Sequence, residues 1–128
     1  MSQPHLILDV VFYQTGAGNE PVRAWLKSLQ REDRKIIGID IKTVQYSWPV
    51  GMPIVRKIEP RLWEARSRIT DGIARVLFTV VGDKMVLLHG FIKKTQKMPV
   101  QELATAKRRL GYLDIDRLTE EEGIDAEE

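Results

Sequence analysis

The sequence predicts an α+β domain in which an antiparallel sheet packs on a helical hairpin. Three observations carry this. Two successive segments in the first half place apolar residues at helical spacing and are joined by a short link. Three strand-like segments in the second half are separated by two-residue turns containing glycine. The length, 128 residues with 43% hydrophobic, suits one domain with a modest core. The predicted order is β-α-α-β-β-β-α, ending in a short C-terminal helix.

Leu6–Tyr13 (LILDVVFY) is rich in β-branched and aromatic residues and stops at Thr15-Gly16-Ala17-Gly18, so it reads as a strand followed by a loop. Asn19-Glu20-Pro21 then opens a helix, with Asn19 as the cap and Pro21 in the first turn. Val22, Trp25, Leu26 and Leu29 form its apolar stripe. A second helix runs from about Glu32 to Ser47. Ile37, Ile41, Val44 and Trp48 share a face, Ile36 and Ile39 widen it, and Pro49 and Gly51 end it. Such a hairpin must lay its apolar side on another element.

That element is the sheet. Its strands are Leu62–Ile69, Ile73–Val81 and Met85–Lys93, with turns at Asp71-Gly72 and Gly82-Asp83. Pro99 precedes the last helix, Val100–Leu110, which Gly111 is expected to stop. Trp25, Trp48 and Trp63 have the spacing of core residues. Residues 1–113 form the single predicted domain, and residues 114–128 an acidic tail expected to be disordered.

Charge is divided unevenly. Of 20 basic and 18 acidic residues, one and eight respectively fall in Asp114–Glu128, leaving 19 bases against 10 acids in residues 1–113. A basic body ahead of an acidic tail points to a polyanionic partner, of which nucleic acid is the commonest. Cysteine is absent, which excludes disulfides and thiolate metal sites. There is no phosphate-binding glycine loop, no HExxH and no carboxylate pair at metal-ligand spacing, so the expected chemistry uses neither metal nor cofactor. No stretch approaches the roughly 20 apolar residues of a membrane helix, and no signal peptide is visible at Met1–Asp9. The expected location is the cytoplasm.

Period-two alternation assigns faces. Arg66 and Arg68 share one side of their strand with Glu64. Arg75 points away from the apolar row Ala74, Val76, Phe78 and Val80. His89, Phe91 and Lys93 share a side of the last strand, with Lys94 just beyond. The side away from the hairpin is expected to be partly open and to gather Arg66, Arg68, Arg75, His89 and Lys93 around Phe91. Guanidinium forks match phosphate oxygens, lysines add point charges, and an aromatic ring can stack on an unpaired base. The competing reading makes these ordinary strand charges, with Arg66 or Arg68 paired to Glu64 or Asp71.

One segment is more specific. Leu88-His89-Gly90-Phe91-Ile92-Lys93-Lys94-Thr95-Gln96-Lys97-Met98-Pro99, followed by Glu102-Leu103-Ala104-Thr105-Ala106-Lys107-Arg108-Arg109-Leu110-Gly111-Tyr112, resembles the HigB-like, phage-derived toxins of the RelE/ParE superfamily. Their pattern is H-x-F-x-K-K-T-x-K-x-P, then a helix with A-x-x-R and a tyrosine. Leu62-Trp63-Glu64-Ala65-Arg66 resembles the family's L-x-E-L-R strand, and Ile73-Ala74-Arg75-Val76-Leu77-Phe78 its Y-R-V-x-Y/F strand. The resemblance covers about Leu62 to Tyr112. In Leu6–Trp48 only the order of elements agrees.

The resemblance implies a RelE-like fold and a ribosome-associated mRNA endonuclease, the toxin of a type II toxin–antitoxin system. Its implied partners are mRNA, the ribosome and an antitoxin with a helix-turn-helix DNA-binding domain. The expected catalytic residues are Arg66, Arg75, His89 and Lys93. The expected RNA-binding residues are Arg68, Phe91, Lys94, Lys97 and Tyr112. In this scheme a ribose 2′-hydroxyl attacks the adjacent phosphate, His89 or a lysine of lowered pKa, Lys93 being the first choice, takes its proton, and Arg66 and Arg75 stabilise the charged transition state. Two alternatives keep the fold: a ParE-like inhibitor that binds a topoisomerase, and a phage remnant that only binds RNA or an antitoxin.

Overall fold

The computed structural model describes residues 7–93 and 97–127, with side chains described as far as 113. The observed elements are β1 (Asp9–Phe12), α1 (Pro21–Ser28), α2 (Arg31–Ser47), β2 (Val55–Glu59), β3 (Leu62–Ile69), β4 (Gly72–Val81), β5 (Lys84–Lys93) and α3 (Val100–Glu127). The α+β class and the helical hairpin agree with the sequence reading. The sheet differs from it. It has five strands in the order β1-β5-β4-β3-β2, and it is mixed rather than antiparallel.

Two features of the sheet escaped the sequence. β2, VRKIE, is a short, polar edge strand between Pro53 and Pro60, paired only with β3. Charged, short edges of this kind suppress edge-to-edge association, and they lack the apolar alternation by which a strand is recognised. The second feature is the direction of β1, which pairs parallel to β5 with Asp9 opposite Lys84 and Phe12 opposite Leu87. Such a pairing leaves no turn in the sequence to announce it.

The second turn falls where composition placed it, and the first lies one residue earlier than the expected Asp71-Gly72, with Gly72 already in β4. Ile69 pairs with Gly72 across Thr70-Asp71, and Val81 with Lys84 across Gly82-Asp83. Gly82 has φ +60, a left-handed conformation that suits glycine. Asp33, at the start of α2, reaches the β3–β4 turn: its Oδ1 accepts from the Thr70 amide at 3.2 Å and from the Thr70 hydroxyl at 2.9 Å. This clip fixes the hairpin over the sheet.

Both faces of the sheet carry a core. The hairpin side gathers Val22, Ile37, Ile41, Val44, Ala65, Ala74, Val76, Phe78 and Leu87, with Trp25, Trp48 and Trp63 packed against them. Trp48 meets Trp63 edge-on at 5.1 Å, and Trp63 stacks on Phe78 at 6.1 Å. Ile39 does not widen the buried stripe of α2 as expected, since it is 55% exposed. Asn19 is not the cap of α1 either: the cap position is Glu20, without a side-chain bond, and the Asn19 amide donates to the Thr15 hydroxyl.

The opposite side was expected to be only partly covered by a short last helix. α3 does lie on it, over Tyr13, Leu62, Leu77, Val86, Leu88 and Phe91, with Ala106 buried and Leu103 and Leu110 packed alongside. But α3 does not stop at Gly111. Its backbone continues to Glu127, into the acidic segment expected to lack regular structure. An interior glycine costs a helix only about 1 kcal/mol against alanine, and the glutamates that follow are good helix formers.

Gly90 explains how α1 reaches the sheet. A Cβ added there would fall inside the Trp25 ring, so the indole lies directly on the bare backbone of β5. Gly90→Ala is expected to displace Trp25 and to cost about 1–3 kcal/mol, the usual range for overpacking. Urea unfolding followed by tryptophan fluorescence checks this.

Candidate functional site

Strand register builds the site. Arg66 of β3 lies opposite Arg75 of β4, and Arg75 opposite Phe91 of β5. One row toward the β3–β4 turn, Arg68 faces Ile73 and Ile73 faces Lys93. One row the other way, Glu64 faces Leu77 and Leu77 faces His89. The predicted residues thus occupy adjoining rows of three neighbouring strands.

Two arginines directly opposite each other repel. Glu64 answers that repulsion. Its Oε1 accepts from Arg75 Nη1 at 2.6 Å and lies 3.8 Å from Arg66 Nε. Its side chain is completely buried, that of Arg75 is 4% exposed and that of Arg66 is 25% exposed. The pairing with Glu64 that the sequence left open for Arg66 is therefore real, and Arg75, for which it was not foreseen, pairs more closely still. The cluster forms on one face, as expected, but most of it is sealed rather than displayed.

Lys93 joins the same group and is buried. Its pKa lies below the usual lysine value. Burial is the largest cause, followed by the charge of Arg75; Arg56 and Arg66 act in the same direction and Glu64 opposes them.

His89 owes its setting to a bulge. Leu77 pairs with His89 but the next residue, Phe78, pairs with Leu87, so Leu88 is an extra residue in β5. A bulge of this type reverses the alternation of a strand. This is why Val86 and Leu88 share a core with Phe91, a grouping that strict alternation forbids. His89 Nε2 is 2.6 Å from Glu102 Oε2 on α3, and Arg109 Nη1, also on α3, is 3.3 Å from His89 Nδ1. Guanidinium has no acceptor atom. Nδ1 therefore accepts, and Nε2–H donates to Glu102. Arg109 Nη1 also donates to the Leu88 carbonyl at 2.8 Å, and the imidazole stacks on Phe91 at 5.7 Å. With both ring nitrogens engaged, His89 fastens α3 to β5.

The remaining predicted residues scatter more widely. Phe91 is 8% exposed, so its ring fills the core and offers no face to a base, contrary to expectation. Arg68 is exposed and, with Arg66, Asp40, Pro53, Ile54 and Ile73, lines a surface cavity of 280 Å³. Lys97 is exposed. Lys94 lies outside the described residues. Tyr112, half exposed, borders a groove of 430 Å³ together with Tyr13, Gln14, Thr15, Gly16, Arg108 and Arg109. There Arg109 lies 5.6 Å from the Tyr13 ring centre, and its pKa is lowered, chiefly by burial. Among the described residues no three His, Cys, Asp or Glu are grouped to hold a metal ion.

Sequence reasoning missed the organising roles of Glu102 and Arg109, the ring of Tyr13 beside Arg109 and the charge of Arg56 acting on Lys93. A signal existed for two of them. Glu102, Ala106 and Arg109 fall at i, i+4, i+7 on the buried stripe of α3, where a charged residue needs a partner.

The family model described as Phage derived protein Gp49-like (DUF891) matches residues 24–111. The chain belongs to this family. The match runs from within α1 into α3 and takes in β2 to β5, hence every residue of the Glu64 and His89 networks. The Gp49-like family is a RelE-like, toxin-related one, which agrees with the resemblance read from the strand and helix motifs and is compatible with a toxin of a toxin–antitoxin system. No curated protein matches this Gp49-like chain. No described helix is long and apolar enough to cross a membrane.

The lowered proton affinity of Lys93 has a stability consequence. Between its lowered pKa and the ordinary lysine value of about 10.4, the unfolded chain holds more protons than the folded one, so stability rises with pH. Lys93→Met removes this dependence. The variant's stability advantage over wild type is expected to narrow as pH climbs toward the ordinary lysine value, as measured by denaturant unfolding at several pH values.

Proposed function

We propose that this chain is the toxin of a type II toxin–antitoxin pair, of the HigB-like kind, and that it cuts ribosome-bound mRNA. One observation carries the reading: Arg66, Arg75 and Lys93, from three adjacent strands, share one sheet face near the buried Glu64 carboxylate. A protein that only folds gains little by collecting like charges. A protein that binds a phosphodiester in its charged transition state gains a great deal.

In this reading Lys93, as the neutral amine, takes the proton of a ribose 2′-hydroxyl. The freed oxygen bonds to phosphorus and the bond to the 5′-oxygen breaks, leaving a cyclic phosphate; the proton passes to the departing oxygen. Arg66 and Arg75 neutralise the pentacoordinate state. Burial and Arg75 favour the neutral amine that this step needs. His89, held by Glu102 and Arg109, sets the position of α3, and Lys93 stays the first choice as base, as in the sequence reading. The groove of Tyr13, Arg108, Arg109 and Tyr112 offers cations and an aromatic ring to a neighbouring nucleotide. The partner antitoxin, carrying a helix-turn-helix domain, would set acidic groups against this basic surface. The protein acts in the cytoplasm, without cofactor or metal.

A binding-only protein is the second reading, favoured by the burial of Arg75 and Lys93. One assay separates the two. With translating ribosomes and a defined mRNA, wild type is expected to cleave, and Arg66→Ala and Lys93→Met each to lose about 10²–10³ in rate, the usual cost of one charge-stabilising group. Cleavage at the wild-type rate by both variants sinks the nuclease reading. Topoisomerase inhibition without RNA cleavage would place the protein with the ParE-like inhibitors.

A further inference from the structure

We propose that Glu64 is the positioning residue of the cationic site: its buried carboxylate aims Arg66 and Arg75 so that their remaining N–H groups converge on one phosphodiester. The proposal rests on the nuclease reading above and names the device that pre-organises its site.

Three observations support it. The first is depth. The Glu64 side chain is completely buried while Arg66 keeps a quarter of its side chain exposed. The carboxylate therefore lies deeper than the Arg66 guanidinium and beside that of the similarly buried Arg75, where it orients both without taking the exposed side of Arg66 from an incoming anion. The second is the state of the donors. Arg75 spends Nη1 on Glu64, yet Nε of Arg75 and Nε of Arg66 are buried without a hydrogen-bond partner, as are Glu64 Oε2 and Thr79 Oγ1. Buried polar atoms are ordinarily satisfied, because each orphan is costly. Unspent donors beside a fixed counter-ion are hydrogen-bonding capacity that the fold itself does not use. The third is charge balance. Arg56, Arg66 and Arg75 all act on Lys93 in one direction, and Glu64 opposes them. A carboxylate set among these cations offsets their repulsion and holds them together.

A carboxylate that merely filled the phosphate position would behave differently, and the two cases are separable in the full chain. The variants are Glu64→Gln, which removes the charge and keeps the shape, and Glu64→Asp, which keeps the charge and withdraws it by one methylene. Three readouts apply: kcat against KM on ribosome-bound mRNA, affinity for a short 2′-O-methyl RNA, and the titration of Lys93 followed by NMR of its labelled side chain.

For a positioning residue, kcat falls on the order of 10²-fold in both variants, the scale expected of a misplacement of about 1 Å, while KM changes far less. Lys93 titrates at lower pH in Glu64→Gln, because the anion that opposed its neighbours is gone, and close to wild type in Glu64→Asp. Tighter RNA binding with an undiminished rate in Glu64→Gln overturns the proposal and makes Glu64 a resident competitor of phosphate. Unchanged affinity, rate and Lys93 titration in Glu64→Gln also overturn it. If wild type cleaves no RNA, the nuclease reading falls by itself, and the binding and titration arms still decide the role of Glu64. If Glu64→Gln does not fold, Glu64→Asp carries the same comparison.

Discussion

A single buried carboxylate reconciles the two demands placed on this sheet. The face under α3 must pack as a core, yet it carries arginines from two adjacent strands in direct opposition. Glu64 makes that possible by accepting from Arg75 at 2.6 Å and standing beside Arg66. Removing one partner of a buried pair typically costs about 3–5 kcal/mol because a desolvated charge is left behind. The middle of the face is thus held by electrostatics, while its flanks, Leu62, Leu77 and Leu88 with α3 above them, are held by apolar contact. Everything proposed about phosphate chemistry depends on the carboxylate keeping the guanidiniums in place.

The second network works alongside the first. His89, Glu102 and Arg109 tie α3 to β5 through directional bonds. The bulge at Leu88 is what turns His89 toward α3. Since β5 contributes Phe91 and Lys93 a few residues further on, the bulge also sets which way those side chains face. One extra residue in one strand therefore governs both the anchoring of α3 and the placing of Lys93 beside Arg75.

Much of this was legible in the sequence, for identifiable reasons. β3, β4 and β5 were found within a residue of their ends because glycine turns bound them and alternation marks their faces. Arg66 and Arg75 were placed on one side for the same reason. The edge strand β2 was not seen, since it is polar and short. The parallel pairing of β1 was not seen, since nothing local encodes it. The degree of burial of Arg75 and Lys93 was also beyond reach: alternation says which way a side chain points but not what covers it. Phe91 shows the same limit, an aromatic on the right face that turned out to be packed rather than displayed. The end of α3 was misplaced because glycine was given the force of a stop signal in a stretch otherwise made of helix formers.

The parallel pair of β1 and β5 joins residues 75 positions apart. Closing so long a loop early in folding costs conformational entropy before any contact repays it. During synthesis β1 leaves the ribosome well before β5 does, and it has no strand to pair with until most of the domain has been made. The sheet therefore completes late, and the Tyr13 wall of the groove beside α3 comes into existence only when the last strand arrives. A nascent chain of this protein cannot set Lys93 beside the Arg66–Arg75 pair until β5 has been translated.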